Sequence, residues 1–410
     1  MAQKAGTANE AAPKAPLVTH SVTPSWVTGR LVPIRHTDRA RVLDEVWAVR
    51  GAGGVPLVGD DRWDDEFWTD LTRGVEESSL APDIGWATFS SGSSGSPRVI
   101  LRTDESWSAS FDAVSELLQL DRDDTVLLPA PLASSLSLFS VAHARSVGAA
   151  VRLPRVHALG AGDLDGVTVS HCTPTALGVL VDAIERGAVR TLRAALVGGA
   201  HLDPALRERA EVLGLRIVSY YGAAELSFVA VDDDGTGFRP FPGVEVRVVD
   251  GELWAKSPYL AHGYLGGSAG ALRVDAEGWA TVGDRAELNP ERRIHLRGRR
   301  DDAILTAGAT AVPHDIEAAL RSIDGVRDAV VFAIPISDTD SLVGAVVELR
   351  TDARGMSLRE LRAQASTRLV ASHLPRRWFW TDSLERTVSG KVARARIRAD
   401  ALEGKLARLE

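Results

Sequence analysis

The chain has 410 residues, 45% of them hydrophobic, with a formal charge of -8 and a single cysteine. That length accommodates two or three domains with cores of their own, and the acidic balance supplies no electrostatic reason for nucleic acid or an anionic membrane as the main partner. Cys172 alone excludes an internal disulfide and fits a reducing cytoplasm, and no apolar run reaches the roughly eighteen residues that a membrane span needs.

Residues 1–24 are rich in Ala, Lys, Thr and Pro and lack the apolar core of a secretory signal, so a disordered tail is expected there. The first sharp feature is Ser90-Ser91-Gly92-Ser93-Ser94-Gly95-Ser96-Pro97-Arg98. Glycines let consecutive N–H groups converge on an anion, serine hydroxyls add donors, and Arg98 adds positive charge. By composition alone the run fits a flexible linker equally well. Its flanks favour a phosphate cradle, because Trp86 to Phe89 and Val99 to Leu101 read as two strands of a hairpin that the loop closes.

From Thr125 the pattern alternates short β-rich runs with helical ones: 125–128, 136–146, 150–153, 167–170, 174–185, 192–197, 204–213 and 215–220. This is the rhythm of crossover units on a mainly parallel sheet. Between Asp232 and Leu296 the runs shorten, and 244–249, 251–255 and 293–296 predict an antiparallel or barrel-like section. The charged cluster Arg299-Arg300-Asp301-Asp302 marks a boundary. Beyond it a small α+β unit is predicted, with helices over 314–322 and 358–372 and strands over 326–334, 343–349 and 378–381. The apolar trio Trp378-Phe379-Trp380 is expected to be core. The fold class is therefore α/β: a large domain over 25–299, a hinge at 300–302 and a small mobile lid domain over 303–410.

Four further motifs carry chemistry. Leu196-Val197-Gly198-Gly199-Ala200 ends a strand in two glycines, a device that brings a flat ligand against bare backbone at the carboxyl edge of a parallel sheet. Tyr220-Tyr221-Gly222-Ala223-Ala224-Glu225 combines an aromatic face for a base with a carboxylate for Mg²⁺ beside phosphates. Trp279 to Asp284 places an acidic group in a loop, suited to a ribose diol. Glu385 to Lys391 sets a lone lysine on a glycine turn. Cys172, in an apolar-leaning run without a neighbouring cation, is not expected to be a nucleophile. Each motif alone is also compatible with a plain turn, a core tyrosine or a solvated charge.

Together and in this order, they resemble the superfamily of adenylate-forming enzymes, which includes acyl-CoA synthetases, adenylation domains and luciferases. The resemblance runs from Trp86 to Ile397. It rests on Ser90–Arg98, Tyr221–Glu225, Gly251-Glu252-Leu253 with Gly263-Tyr264, Val282-Gly283-Asp284, Gly298-Arg299-Arg300-Asp301 and Ser389-Gly390-Lys391. It implies that Ser90, Ser91, Gly92, Ser93, Ser94, Gly95 and Arg98 hold ATP phosphates. Gly199, Ala200, His201, Tyr220, Tyr221, Gly222 and Ala223 would line the adenine slot, with Tyr221 stacking on the base. Asp284 and Arg299 would hold the ribose, Glu225 the Mg²⁺, and Lys391 would lie between the substrate carboxylate and the α-phosphate. Asp301 would be the hinge about which the lid turns between adenylation and thiol attack, exchanging Lys391 for the face carrying Thr306 to Thr310.

Departures accompany the matches: Arg98 stands for the usual lysine, Val99 for glycine, Ala224 for threonine and Glu385 for a common proline. The phosphate loop begins near residue 90, so an N-terminal subdomain shorter than the family's is expected. In the segment 131–139 no acidic residue is present to capture an amino acid's ammonium. A fatty or aryl acid is therefore favoured, with Ser134, Leu136, Leu138 and Phe139 lining the acyl pocket. The resemblance thus implies ATP, Mg²⁺ and CoA, a small carboxylic acid as substrate and a cytoplasmic location, with no nucleic acid and no membrane span. A carrier-protein phosphopantetheine as acceptor, a truncated non-catalytic nucleotide binder and a homodimer all stay open.

Overall fold

The computed structural model of the protein describes residues 28–90, 98–154, 159–187, 191–267, 270–299, 304–306, 309–336, 341–353, 355–371, 373–387 and 391–409. The expected tail, Ser91 to Gly95, the hinge residue Asp301 and the Ser389-Gly390 pair lie outside these residues.

The chain begins with elements that the sequence patterns above do not pick out. Strands Leu31–Ile34 and Val55–Val58 pair in parallel through helix Arg39–Gly51, whose first N–H groups bond to the Asp38 carboxylate. The second of these strands runs parallel to Ile84–Phe89. Ile84–Phe89 then turns antiparallel onto Val99–Thr103, so the expected hairpin around the serine-rich loop is present. The fifth strand of this sheet comes from far downstream, because Gly263–Tyr264 pairs antiparallel with Leu101 and Ile100.

The alternating region folds as expected into a seven-stranded sheet among the described residues. Ala150–Arg152, Thr125–Leu127, Val169–Cys172, Ala194–Val197 and Arg216–Ala223 run parallel, and Ser227–Asp232 and Arg239–Pro240 extend the sheet antiparallel. Helix boundaries follow their caps. Ser134 caps Ser135–Val147, which Gly148 ends in the left-handed conformation, and Thr173 followed by Pro174 starts Pro174–Glu185. An aromatic seam of Trp86, Trp107, Phe139 and Phe228 joins the faces of the two sheets, with successive ring centroids 5.0–5.8 Å apart. Cys172 is fully buried, and burial pushes its thiol up to about 12, which removes it as a nucleophile.

The expected antiparallel section is the third sheet, Glu245–Val249, Glu252–Lys256, Arg273–Val274, Ala280–Thr281, Asp284–Leu288 and Ile294–Arg299. The C-terminal unit has its own core of Ile304, Ile316, Leu320, Val331, Val347 and Trp378. Its strands Val326–Pro335, Ser341–Leu349, Arg377–Thr381 and Ala407–Arg408 form one sheet. Strand alternation sends Trp378 into that core and Phe379 into a second one with Val330 and Ile397, so the trio is core as expected, although Trp380 stays half-buried. The helix expected to reach residue 372 stops at Ser366. There the Ser366 and Thr367 hydroxyls turn back onto the carbonyls of Ala363 and Gln364 and compete with the helical ladder. Helix Arg394–Leu402, absent from the sequence reading, follows the lysine turn.

Candidate active site

The carboxyl ends of the parallel strands bring the glycine pair and the tyrosine pair together. Gly198 is buried, and a Cβ there would lie 2.2 Å from the Tyr220 ring, so only glycine fits. Gly199 has φ +87°, and a Cβ on it would stand 3.7 Å from Lys391 Cε, which sets the lysine from the C-terminal unit over the glycine loop. A second contact agrees with this placement: the His201 ring meets His314 edge-on at 5.7 Å, joining the loop to helix Pro313–Arg321. Ala200 and His201 are exposed beside Gly199.

Adjacent residues of a strand face opposite sides, and the two tyrosines divide accordingly. Tyr221 donates its hydroxyl to Asp284 Oδ2 at 2.6 Å. The register of the third sheet places the backbone of Arg299 opposite Asp284. Tyr220 instead reaches His171 Nε2 at 3.0 Å and packs edge-on to Phe228. Its expected place in the adenine slot is therefore corrected: it backs Gly198 from behind. His171, fully buried and bonded on its other nitrogen to Ser140, is held neutral, with burial pulling it down to about 3.

Glu225 sits at the tip of the hairpin between Arg216–Ala223 and Ser227–Asp232. A Cβ on Gly222 would come within 2.0 Å of the Ser227 carbonyl oxygen, so the tight closure of this hairpin needs glycine there, while Ala223 makes the last cross-strand pair with Ser227. Glu225 as a residue is only 8% exposed, and its carboxylate accepts from Tyr264 Oη at 2.9 Å. Beside it lies Arg102, which the sequence reading missed because an arginine within a strand looks like surface charge. Its guanidinium is fully buried and donates to the carbonyls of Ala224 and Tyr259 and to Ser106 Oγ. Burial lowers its pKa to about 9 against the pull of Glu225, and the group stays cationic at neutral pH.

Of the phosphate loop, its two ends are described. Ser90 N–H donates to the Arg98 carbonyl at 2.8 Å and Arg98 N–H to Ser90 Oγ at 2.9 Å, which closes the base of the loop. The lysine turn is closed in a comparable way, because the Thr387 N–H and hydroxyl both donate to the Lys391 carbonyl at 2.6 and 3.1 Å.

The expected acyl-pocket residues lie on one helix and part ways with its faces. Leu138 is fully buried and Phe139 is packed edge-on against Trp107, Phe111 and Phe228, so both fill the core instead of lining a pocket. Ser134 is used as the helix cap and also donates to the Pro131 carbonyl at 2.8 Å. Leu136, half-buried, is the member with surface to offer. The reading erred by treating a stretch of sequence as one face when a helix turns successive residues by 100°.

As for a metal, no group of three or more His, Cys, Asp or Glu side chains able to hold an ion exists among the described residues. A hard Glu225 carboxylate without an all-protein cage among the described residues fits Mg²⁺, which binds through one or two carboxylates together with substrate phosphates. No helix of the described residues is long and apolar enough to cross a membrane.

Comparison with known proteins identifies the family. Residues 10–265, more than half of the chain, match the family described as AMP-binding enzyme, and residues 315–391 match the AMP-binding enzyme C-terminal domain. The chain is 27% identical over 336 residues to an uncharacterized acyl–CoA ligase, YhfT, of Bacillus subtilis, covering 76% of this chain and 67% of that one. It is 28% identical over 337 residues to a 2-succinylbenzoate–CoA ligase of Salmonella typhimurium, covering 79% and 72%. Its fold is similar to that of the o-succinylbenzoate CoA synthetase of Bacillus subtilis in complex with its acyl-adenylate, with a TM-score of 0.77, 18% identity and coverage of 90% and 88%. With both halves matched in order along one chain, it belongs to the AMP-binding enzymes, the adenylate-forming superfamily of the acyl-CoA synthetases.

Proposed function

We propose that the protein activates a carboxylic acid with ATP and passes the acyl group to the thiol of CoA. The observation that carries this reading is the convergence of Lys391 on the Gly198-Gly199 loop, beside the strand end whose Tyr221 meets Asp284. In the first half-reaction a carboxylate oxygen bonds to the α-phosphorus and pyrophosphate leaves. In the second the thiol gives up its proton to solvent, its sulfur bonds to the acyl carbon, the mixed anhydride breaks and AMP leaves.

The first step brings like charges together, and the residues in hand oppose that repulsion. The Lys391 ammonium would sit between carboxylate and α-phosphate, Arg98 would answer the terminal phosphates, and Glu225 would hold Mg²⁺, whose charge neutralises phosphate oxygens when bound. The Tyr221–Asp284 bond fixes the aromatic ring and turns the aspartate toward the ribose side. Tyr221→Phe is expected to raise the Kd for AMP about three- to tenfold, the usual net worth of one hydrogen bond. Titration calorimetry checks this, and an unchanged Kd would place the nucleoside elsewhere.

A fatty or aryl acid is favoured because segment 131–139 has no carboxylate for an ammonium and its half-buried Leu136 is apolar. The deciding experiment is mass spectrometry of products from ATP, Mg²⁺, CoA and a pooled library of carboxylic acids. Acyl-CoA together with AMP is expected. Acyl-adenylate without acyl-CoA would move the acceptor to a carrier-protein phosphopantetheine, and neither product from any acid would leave a nucleotide-binding protein without turnover.

A further inference from the structure

We propose that Arg102 is a positioning residue for Glu225, holding the carboxylate at the tip of its hairpin in the orientation that receives a divalent cation. The proposal rests on the reading of Glu225 as the metal-binding carboxylate. Arg102 is 0% exposed, and its four hydrogen bonds go to neutral acceptors: Nε and Nη2 to the Ala224 carbonyl at 3.2 and 2.7 Å, and Nη1 to the Tyr259 carbonyl at 2.8 Å and Ser106 Oγ at 3.3 Å. The opposite charge that it feels is that of Glu225, one residue beyond the carbonyl it grips.

Stability does not call for such a group. Burying a cation without a bonded carboxylate is costly, and an apolar side chain of similar volume would pack at least as well. What the guanidinium adds is geometry. Two donors on one carbonyl fix the peptide plane that precedes Glu225, which sets the direction in which its side chain leaves the backbone.

The other restraint comes from the same sheet. Tyr264, which donates to Glu225 Oε1, is paired with Ile100, two residues before Arg102 on strand Val99–Thr103. That strand begins at the exit of the phosphate loop, next to Arg98. One short strand therefore links Arg98, the buried guanidinium and, through Tyr264, the carboxylate. Relative to strand Val99–Thr103, Glu225 is placed through Arg102 and Tyr264 as well as through its own hairpin.

The test is equilibrium binding of Mn²⁺ to the full chain, read by electron paramagnetic resonance of the free ion, in the presence of α,β-methylene ATP. Wild type, Arg102→Gln, Arg102→Lys and Glu225→Gln are compared, with metal-free AMP affinity and thermal midpoint measured alongside. Arg102→Gln is expected to weaken Mn²⁺ binding about tenfold, the lower end of the scale on which residues behind a metal ligand act, and Arg102→Lys, which keeps the charge, less than that, with AMP affinity unchanged. If Arg102→Gln does not fold, Arg102→Lys, which keeps the charge and loses the fork, carries the same comparison. Mn²⁺ affinity unchanged in both arginine variants while Glu225→Gln loses it overturns the proposal. So does a parallel fall in AMP affinity and midpoint, which marks a purely structural role. Wild-type Mn²⁺ binding in Glu225→Gln overturns instead the underlying assignment of the metal to Glu225.

Discussion

Lys391→Ala is expected to slow acyl-adenylate formation about a hundred- to a thousandfold, read as carboxylate-dependent pyrophosphate exchange, while leaving AMP binding and the thermal midpoint near wild type. The size follows from removing one charge-assisted contact made in the transition state, about 2.7–4 kcal/mol by analogy with oxyanion donors. The selectivity follows from position. Lys391 reaches the glycine loop from the C-terminal unit, and its carbonyl, not its ammonium, closes the turn with Thr387. Truncation at Cβ therefore leaves the turn intact. Supplying a synthetic acyl-adenylate and CoA should restore thioester formation, because the ammonium's work is finished once the anhydride exists. If exchange persists in the variant, the lysine has no part in adenylation.

The second large effect is predicted at Arg394→Ala, with a loss of about 3 kcal/mol from the C-terminal unit. Glu317 is fully buried, accepts the Val331 N–H at 2.8 Å and meets the Arg394 fork through both of its oxygens. Removing the arginine leaves a buried carboxylate without its cation. Glu317→Gln is expected to cost less, since the partly exposed arginine that remains can be solvated. The pair also ties helix Pro313–Arg321 to helix Arg394–Leu402, three residues beyond Lys391. Arg394→Ala should thus lower pyrophosphate exchange as well as the denaturation midpoint, and the two variants should rank in the same order on both scales. The opposite order would show that desolvation of the carboxylate does not govern this contact.

Parts of the candidate site were legible where backbone demands mark the local sequence: Gly198 beneath a tyrosine ring, Gly222 against a carbonyl and Asp284 at a strand start. The hairpin around the serine-rich loop, the parallel rhythm and the antiparallel section were legible from alternation and turn residues. What escaped has a common cause. Arg102 and Glu317 look like ordinary surface charges until their partners arrive from 122 and 77 residues away. Leu138 and Phe139 look like pocket lining until the helix buries both and packs Phe139 against Trp107. The division of Tyr220 from Tyr221 needs the strand's two faces, and burial on either side is decided by tertiary packing that a local pattern does not contain.

The pairing of Gly263–Tyr264 with Val99–Thr103 also has a consequence for how the chain acquires its structure. The first sheet lacks its last strand until some 160 residues have been added after the fourth, so during synthesis Val99–Thr103 waits with one edge unpaired while the whole parallel sheet is made. Closing so long a loop is slow, and an open strand edge invites pairing with other chains. The first sheet is therefore completed only after every strand of the parallel sheet has been made. Arrest or truncation of synthesis before residue 264 should yield aggregating fragments, and never a folded N-terminal domain.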